Sequence, residues 1–482
     1  MGSTTAANGN LHMLFFPYMA QGHMLPMVDI AKLFAARGVY VSIVTTPANA
    51  TLIRPTIHRS NFPITLHLLT FPSAAVGLPE GCENRSSLPS DSHRSSFYRG
   101  IAMLRQPFDD LLKQIRPDCV VTDMFMPWTY HVATDRGIPR LVFDGTGFLP
   151  RCADDALQRH RTLDNLPPDA SSFTHPGLPH RIDMLLSQTH EHSKRPPGLA
   201  ASFDAINSQR KEVDPKSYGV LVNSFYELEP KYVEYYRKVV GRKAWHIGPV
   251  SLCNQDVADK SLRGGDHESL DGDRCLKWLD EQKPGSVVYV CFGSATVFAG
   301  EQIREIAMGL EAAGHSFILV AGRSAKEEWF PEGFEERING EGKGMLIRGW
   351  AQQLMILNHA AVGGFVTHCG WNSLLEGISA GLPMVTWPLF ADQFYNEKLL
   401  VQVLEVGVAV GEKGDGEWGG GGWEEAEGEV MGSGEEADGR RRRARDLGEK
   451  ARRAVEMDGS SYDNIGNLIR ELLERKAKLN AA

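Results

Sequence analysis

The sequence predicts an α/β fold made of two doubly wound parallel sheets, and three observations carry that prediction. An apolar run, a loop holding Gly and Pro, an amphipathic helix and a β-branched strand follow one another within residues 11–46. The same alternation restarts at Val287 and is sustained to about Leu404. A strand-helix-strand crossover demands parallel pairing, so repeated units of this kind wind a parallel sheet with helices on both faces.

Taken in order, residues 11–16 are a short apolar strand, and 18–26 form a loop containing Gly22. Met24, Met27, Val28, Ile30, Ala31 and Phe34 then recur at helical spacing until Gly38 stops them. Residues 39–46 are the second strand, with further strands at 64–71, 118–122 and 141–143. In the second half, 287–292 reads as a buried strand, 301–313 as an amphipathic helix and 316–320 as a strand. Strands at 345–347, 364–367 and 384–386 alternate with helices at 352–358, 372–379 and 391 to about 404. The expected division is an N-terminal domain over 1–252, a linker over 253–273 where Asp, Gly and Ser accumulate, a second domain over 274–455, and a terminal helix over 456–482 that returns to the first domain. Residues 412–439 are rich in Gly and Glu and are followed by four arginines, Arg440 to Arg443, so a solvated loop is expected there.

Composition narrows the class. A chain of 482 residues with 42% apolar content is too long and too apolar for a disordered tail, and ~150 residues per domain gives about three units as a prior. With 51 Lys and Arg against 60 Asp and Glu the formal charge is −9, which disfavours a nucleic-acid binder. The 7 cysteines contain no C-x-x-C pair, so neither a disulfide framework nor a zinc knuckle is signalled. No signal core and no run of about 18 apolar residues occurs, and a cytoplasmic protein without membrane insertion is expected.

In open α/β sheets, ligands bind at loops beyond the carboxyl ends of strands. Three such loops carry suggestive residues. His23, at the first strand-to-helix junction, has the pKa range of a general base, and it can equally be a hydrogen-bonded loop residue. Asp123 ends the strand at 118–122, where a carboxylate can fix an imidazole tautomer or simply cap a turn. His368 to Ser373 end a strand and open a helix whose free backbone donors suit a phosphate. Glu376 can reach a ribose diol or serve as a macrodipole partner, and Asp392 with Gln393 suits sugar hydroxyls or an N-cap.

Residues 350–393 run from Trp350-Ala351 through His368-Cys369-Gly370-Trp371-Asn372-Ser373 and Glu376-Gly377 to Asp392-Gln393. This stretch resembles the signature box of plant family-1 UDP-dependent glycosyltransferases. Phe16-Pro17 with Gly22-His23-Met24-Leu25-Pro26, residues 221–229, Trp245 to Pro249, and Phe292-Gly293-Ser294 resemble further motifs of that family. The resemblance implies two Rossmann-like domains facing across a cleft, the GT-B arrangement, with UDP-sugar on the C-terminal half and an acceptor on the N-terminal half. By that likeness Trp350 stacks on uracil, Ala351 is a donor-binding residue, Gln353 contacts the nucleoside and Glu376 bonds the ribose. Ser294, His368, Asn372 and Ser373 are implied at the diphosphate, Gly370 as a donor-binding residue, and Trp371, Asp392 and Gln393 at the sugar. Gln393 resembles glucose-using members, so UDP-glucose is the expected co-substrate, with no further cofactor.

Displacing UDP needs a deprotonated acceptor and relief of charge growing on the leaving diphosphate. His23 with Asp123 and the helix N-terminus at Asn372 and Ser373 supply both without a metal, and an in-line attack inverts the anomeric centre. The expected acceptor is a lipophilic phenolic such as a flavonoid, taken by a monomer; a terpenoid acceptor and C-glucosylation remain open from sequence. Met124, Phe125, Trp128, Phe148 and Leu149 are candidate acceptor-lining residues, for which core packing is the equal reading. Asp144 and Thr146 are candidate sugar or acceptor contacts. A silent UDP-sugar binder would not need the His23 and Asp123 pair, and a nicotinamide dehydrogenase lacks Gly-x-Gly-x-x-Gly at any strand-to-helix junction.

Overall fold

The computed structural model describes residues 11–189, 197–264, 271–294, 296, 298–322, 325–410 and 421–481. Two parallel sheets organise them. In the first, β1 (His12–Phe16), β2 (Tyr40–Thr45), β3 (Ile64–Leu68), β4 (Cys119–Asp123) and β5 (Arg140–Phe143) are joined later by two more strands. A separate antiparallel hairpin, β6 (Ser172–Thr174) with β7 (Asp183–Leu185), intervenes before β8 (Gly219–Val222) and β9 (Ala244–His246). The order is β3-β2-β1-β4-β5-β8-β9. The second sheet comprises β10 (Val287–Cys291), β11 (Ser316–Val320), β12 (Gly344–Ile347), β13 (Val362–Thr367), β14 (Met384–Thr386) and β15 (Gly407–Ala409), in the order β12-β11-β10-β13-β14-β15.

Each sheet reverses direction once. The chain winds outward from β1 through β2 to β3 and returns to β4, leaving a switch point between β1 and β4, whose register pairs Phe16 with Thr122. In the second sheet the reversal falls between β10 and β13, with Cys291 beside Thr367. Loops diverge there and leave a crevice above the strand ends. The central strands β1, β4, β10 and β13 are almost wholly buried because helices cover both faces, which is why they read as continuous apolar runs.

The strands read from sequence are all present, with ends shifted by a few residues. Strands β6, β7, β8, β9 and β15 were not anticipated, each being only three or four residues long. The stretch expected as a linker holds a helix, Val257–Leu262, and another, Asp271–Asp280, begins within it. The expectation of a solvated loop over 412–439 is corrected for its described part; residues 411–420 lie outside the described residues. Gly421–Met431 is a helix whose Trp423, Ala426 and Val430 join the core beneath the second sheet. The arginine run sits inside the helix Glu435–Val455. Arg440 donates to the Glu429 carbonyl at 2.7 Å, and Arg441 to those of Val430 at 3.0 Å and Gly432 at 2.8 Å. These cations satisfy carbonyls orphaned at the end of the preceding helix, a tertiary role that local composition does not reveal.

The last helix, Ser460–Ala481, lies against the first sheet, where Ile465, Leu468 and Leu472 share a core with Leu221, Trp245 and Val250. Among the described residues, no helix is long and apolar enough to cross a membrane.

Candidate active site

A cleft of about 2450 Å³ runs between the sheets and is lined by the loops at both switch points. His23 enters it from the first turn of the helix Gln21–Ala35, directly after β1. Its Nδ1 lies 2.8 Å from Oδ2 of Asp123, the last residue of β4. The Asp123 side chain is fully buried, whereas that of His23 is 22% exposed. The other carboxylate oxygen of Asp123 accepts the Phe125 N–H at 3.0 Å, which fixes the rotamer. With Nδ1 committed to the carboxylate, Nε2 is the imidazole atom left to the cleft. Burial opposes protonation of His23, but the charge and hydrogen bond of Asp123 outweigh it, with Asp144 and Asp392 adding to the effect, and its pKa is raised. Two aromatic rings flank this imidazole: Tyr18 lies 5.5 Å and Phe125 5.3 Å from the His23 ring, and Phe125 contacts Phe203 at 6.2 Å.

Facing this pair is the helix Trp371–Ala380, opened by the turn His368-Cys369-Gly370 after β13. Cys369 occupies left-handed backbone space at φ 61°, as does Ala391 at φ 60° in the loop before Asp392. Side chains other than glycine seldom adopt this conformation, and here it marks two turns that line the cleft. His368 is held neutral, its pKa lowered to about 4 chiefly by burial. A Cβ on Gly293 would sit 2.6 Å from the His368 ring and one on Gly370 2.4 Å from it, so both glycines are required by close approach.

One contact between the two halves involves a backbone atom beside His23. Pro26 lies inside the first helix and has no N–H to give to the carbonyl four residues earlier, that of Gly22. Asn372 fills the vacancy from the other domain, its Nδ2 donating to the Gly22 carbonyl at 2.6 Å. Pro26 thereby leaves an acceptor beside His23, and the helix Trp371–Ala380 takes it up.

The remaining expected residues divide. Ser294, Trp350, Ala351, Gln353, Ser373, Glu376, Asp392 and Gln393 all line the cleft, as do Met124, Phe125, Asp144 and Thr146. Gln353 Nε2 donates to Glu376 at 2.7 Å and to Ser373 at 3.2 Å. Thr146 donates to Asp392 at 3.0 Å across the domains, and burial raises the Asp392 pKa against hydrogen bonds from Asn396 and Thr146. Gln393 Oε1 accepts the N–H groups of Leu389 at 2.8 Å and Phe390 at 3.0 Å, so it also shapes its own loop. Asp144 is ion-paired with Arg151, leaving its side chain 6% exposed.

Three expectations are corrected. Trp128 packs against Phe16 and Phe108 within the core, and Phe148 and Leu149 are wholly buried; none of the three lines the cleft. Their apolar side chains serve packing, the alternative that sequence left open. Trp371 reaches the cleft, but its indole N–H is committed to the Asn223 carbonyl at 2.6 Å, and its ring fills the space that a Cβ on Gly147 would need, 2.4 Å from Cη2. It is thus an interdomain contact. Sequence reasoning missed Tyr18, Phe203 and Arg263; Tyr18 stands beside the His23 motif, whereas nothing local marks the other two.

The comparisons with known proteins agree with this geometry. The family model for UDP-glucuronosyl and UDP-glucosyl transferases matches residues 275–412. A scopoletin glucosyltransferase of Nicotiana tabacum is 46% identical, with 96% of this chain and 98% of the relative covered. The chain belongs to the plant UDP-dependent glycosyltransferases. It is equally similar, at 46% identity with 98% of both chains covered, to a flavonoid 3-O-glucosyltransferase of Fragaria ananassa. Among solved structures, Glycyrrhiza uralensis UGT73P12 complexed with glycyrrhetinic acid 3-O-monoglucuronide superposes with a TM-score of 0.89 at 38% identity, covering 98% of each chain. Medicago truncatula UGT71G1 complexed with UDP-glucose gives 0.74 at 26% identity, covering 97% of this chain and 99% of the other. This transferase therefore has the GT-B fold, its two parallel sheets being the two Rossmann-like domains.

Proposed function

We propose that this glycosyltransferase moves glucose from UDP-glucose, with inversion, to a hydroxyl of a lipophilic phenolic such as a flavonoid. The observation that carries the reading is the 2.8 Å His23–Asp123 pair opening into the cleft opposite the N-terminus of the helix Trp371–Ala380. His23 Nε2 takes the acceptor proton as the acceptor oxygen forms its bond to the anomeric carbon. The bond from that carbon to the diphosphate oxygen breaks, and UDP carries the electron pair away. Asp123 stabilises the imidazolium, while the helix N-terminus with Asn372 and Ser373 receives the growing diphosphate charge. Neutral His368 serves there as a hydrogen-bonding group.

Tyr18 and Phe125 beside His23, with Phe203 against Phe125, support a planar aromatic acceptor, because offset and edge contacts favour such a guest. The relatives named for scopoletin and flavonoid glucosylation support the same class. Incubation with UDP-glucose and a panel of phenols and terpenoids, read by product mass and by the anomeric coupling in NMR, tests the proposal. A β-glucoside that acid hydrolyses is expected, and His23→Ala lowers turnover by about 10²- to 10⁴-fold while UDP binding persists. An α-linked product, or unchanged turnover in His23→Ala, would refute it.

A further inference from the structure

We infer that Arg263, on the segment joining the two domains, is a positioning residue that sets the nucleoside carboxylate Glu376 and the angle between the two site helices. Its Nε donates to Oδ2 of Asp29 at 2.8 Å, and its Nη1 to Oε1 of Glu376 at 2.6 Å. All three side chains are deeply buried: Arg263 is 9%, Asp29 1% and Glu376 4% exposed. Asp29 belongs to the helix that presents His23, and Glu376 to the helix that presents Asn372 and Ser373.

The two helices are thus pinned twice. One pin is the bond from Asn372 to the Gly22 carbonyl. The other is Asp29-Arg263-Glu376, about two turns further along the first helix and one turn along the second. Two pins define a relative orientation where one leaves a hinge. The guanidinium suits this place because its planar fork engages two carboxylates at once, which an ammonium cannot do with the same geometry.

Glu376 is held from both sides, by Arg263 on Oε1 and by Gln353 on Oε2 at 2.7 Å. Each carboxylate oxygen accepts more than one hydrogen bond, so both retain capacity for a diol while their orientation is locked. The neighbouring Gly264 supports the same picture. At φ +88° it runs so close to the indole of Trp350 that a Cβ would lie 2.2 Å from Cζ2, with Leu25 3.0 Å away. Residues 263 and 264 therefore form a wall of the nucleoside end of the cleft.

The inference rests on the reading of Glu376 as the ribose acceptor, and paired probes separate the two. Calorimetric titration of the full chain with UDP and with 2′-deoxy-UDP measures the contribution of one ribose hydroxyl without an acceptor. The native protein is expected to prefer UDP by roughly tenfold. Arg263→Gln is expected to bring that ratio close to one while its affinity for 2′-deoxy-UDP changes little, and Glu376→Gln should do the same. Arg263→Lys, which keeps charge but reaches one carboxylate, should retain an intermediate ratio. Asp29→Asn is a milder variant that removes one anchor and should lower the ratio in part, so the test survives if Arg263→Gln does not fold. A native ratio near one overturns the Glu376 reading and this inference with it. A native preference that persists in Arg263→Gln and Asp29→Asn, or an equal loss of both affinities, overturns the inference alone.

Discussion

Replacing Asp123 by Asn retains the shape of the side chain and deletes the charge that His23 depends on. On the proposed mechanism the imidazole becomes cationic during transfer, beside a carboxylate oxygen that lies 2.8 Å from its Nδ1. A hydrogen bond between charged partners contributes about 1.5–3 kcal/mol, so at about 1.4 kcal/mol per decade its loss lowers turnover by roughly 10- to 150-fold. The pH profile carries a second signature. Asp123 raises the pKa of His23, and a base must be neutral to act, so native kcat/KM climbs as pH rises through that raised value. In Asp123→Asn the limb moves to lower pH while the plateau falls. The same pair stabilises the fold below the pKa of histidine in the unfolded chain, and this contribution is lost as pH rises through the folded value. The pH dependence of denaturant midpoints should therefore flatten in the variant. Initial rates across pH with saturating UDP-glucose measure the limb. An unmoved limb with an unchanged plateau would show that His23 is not the titrating base or that Asp123 does not govern it.

Three further outcomes follow from the packing. Pro26→Ala returns an N–H that competes with Asn372 for the Gly22 carbonyl, so turnover should fall by roughly fivefold, about the worth of one hydrogen bond, while the thermal midpoint holds or rises. A fall in both would instead point to general damage. Gly147→Ala drives a methyl into the Trp371 ring and toward Glu229, 2.9 Å away, and should cost about 1–3 kcal/mol in urea denaturation; no loss would mean that the domains separate freely there. Asp144→Ala strands the buried Arg151 cation and should destabilise by about 3–5 kcal/mol, with Arg151→Met in the same chain recovering much of it. If acceptor scope shifts and stability does not, Asp144 acts on ligand rather than on Arg151.

Much of this protein was legible as a string of residues, for a reason that holds in both domains. Buried parallel strands must be apolar throughout, and the helices after them must carry a periodic stripe, so β1, β2, β10, β11 and β13 announce themselves locally. The place of the candidate site was legible too, because ligands of such sheets bind beyond strand ends at a switch point, and His23, Asp123 and His368 follow or end such strands. Partnership was legible only through the family likeness, which paired His23 with Asp123, and not from the residues around either one. That His23 meets Asp123, a hundred residues on, depends on β1 lying beside β4, a pairing set by topology. Trp128 and Phe148 have the same composition whether they face a ligand or a core, and only packing sends them inward. The arginine run and residues 421–431 looked solvated, because the carbonyls and core that they serve come from other elements. Arg263 is one cation among 51 Lys and Arg in the sequence. The folded chain brings Asp29 and Glu376 to it from two domains and makes it a strut. Local periodicity and side-chain chemistry reside in neighbouring residues, whereas charge pairing and domain closure exist only once distant segments share a volume.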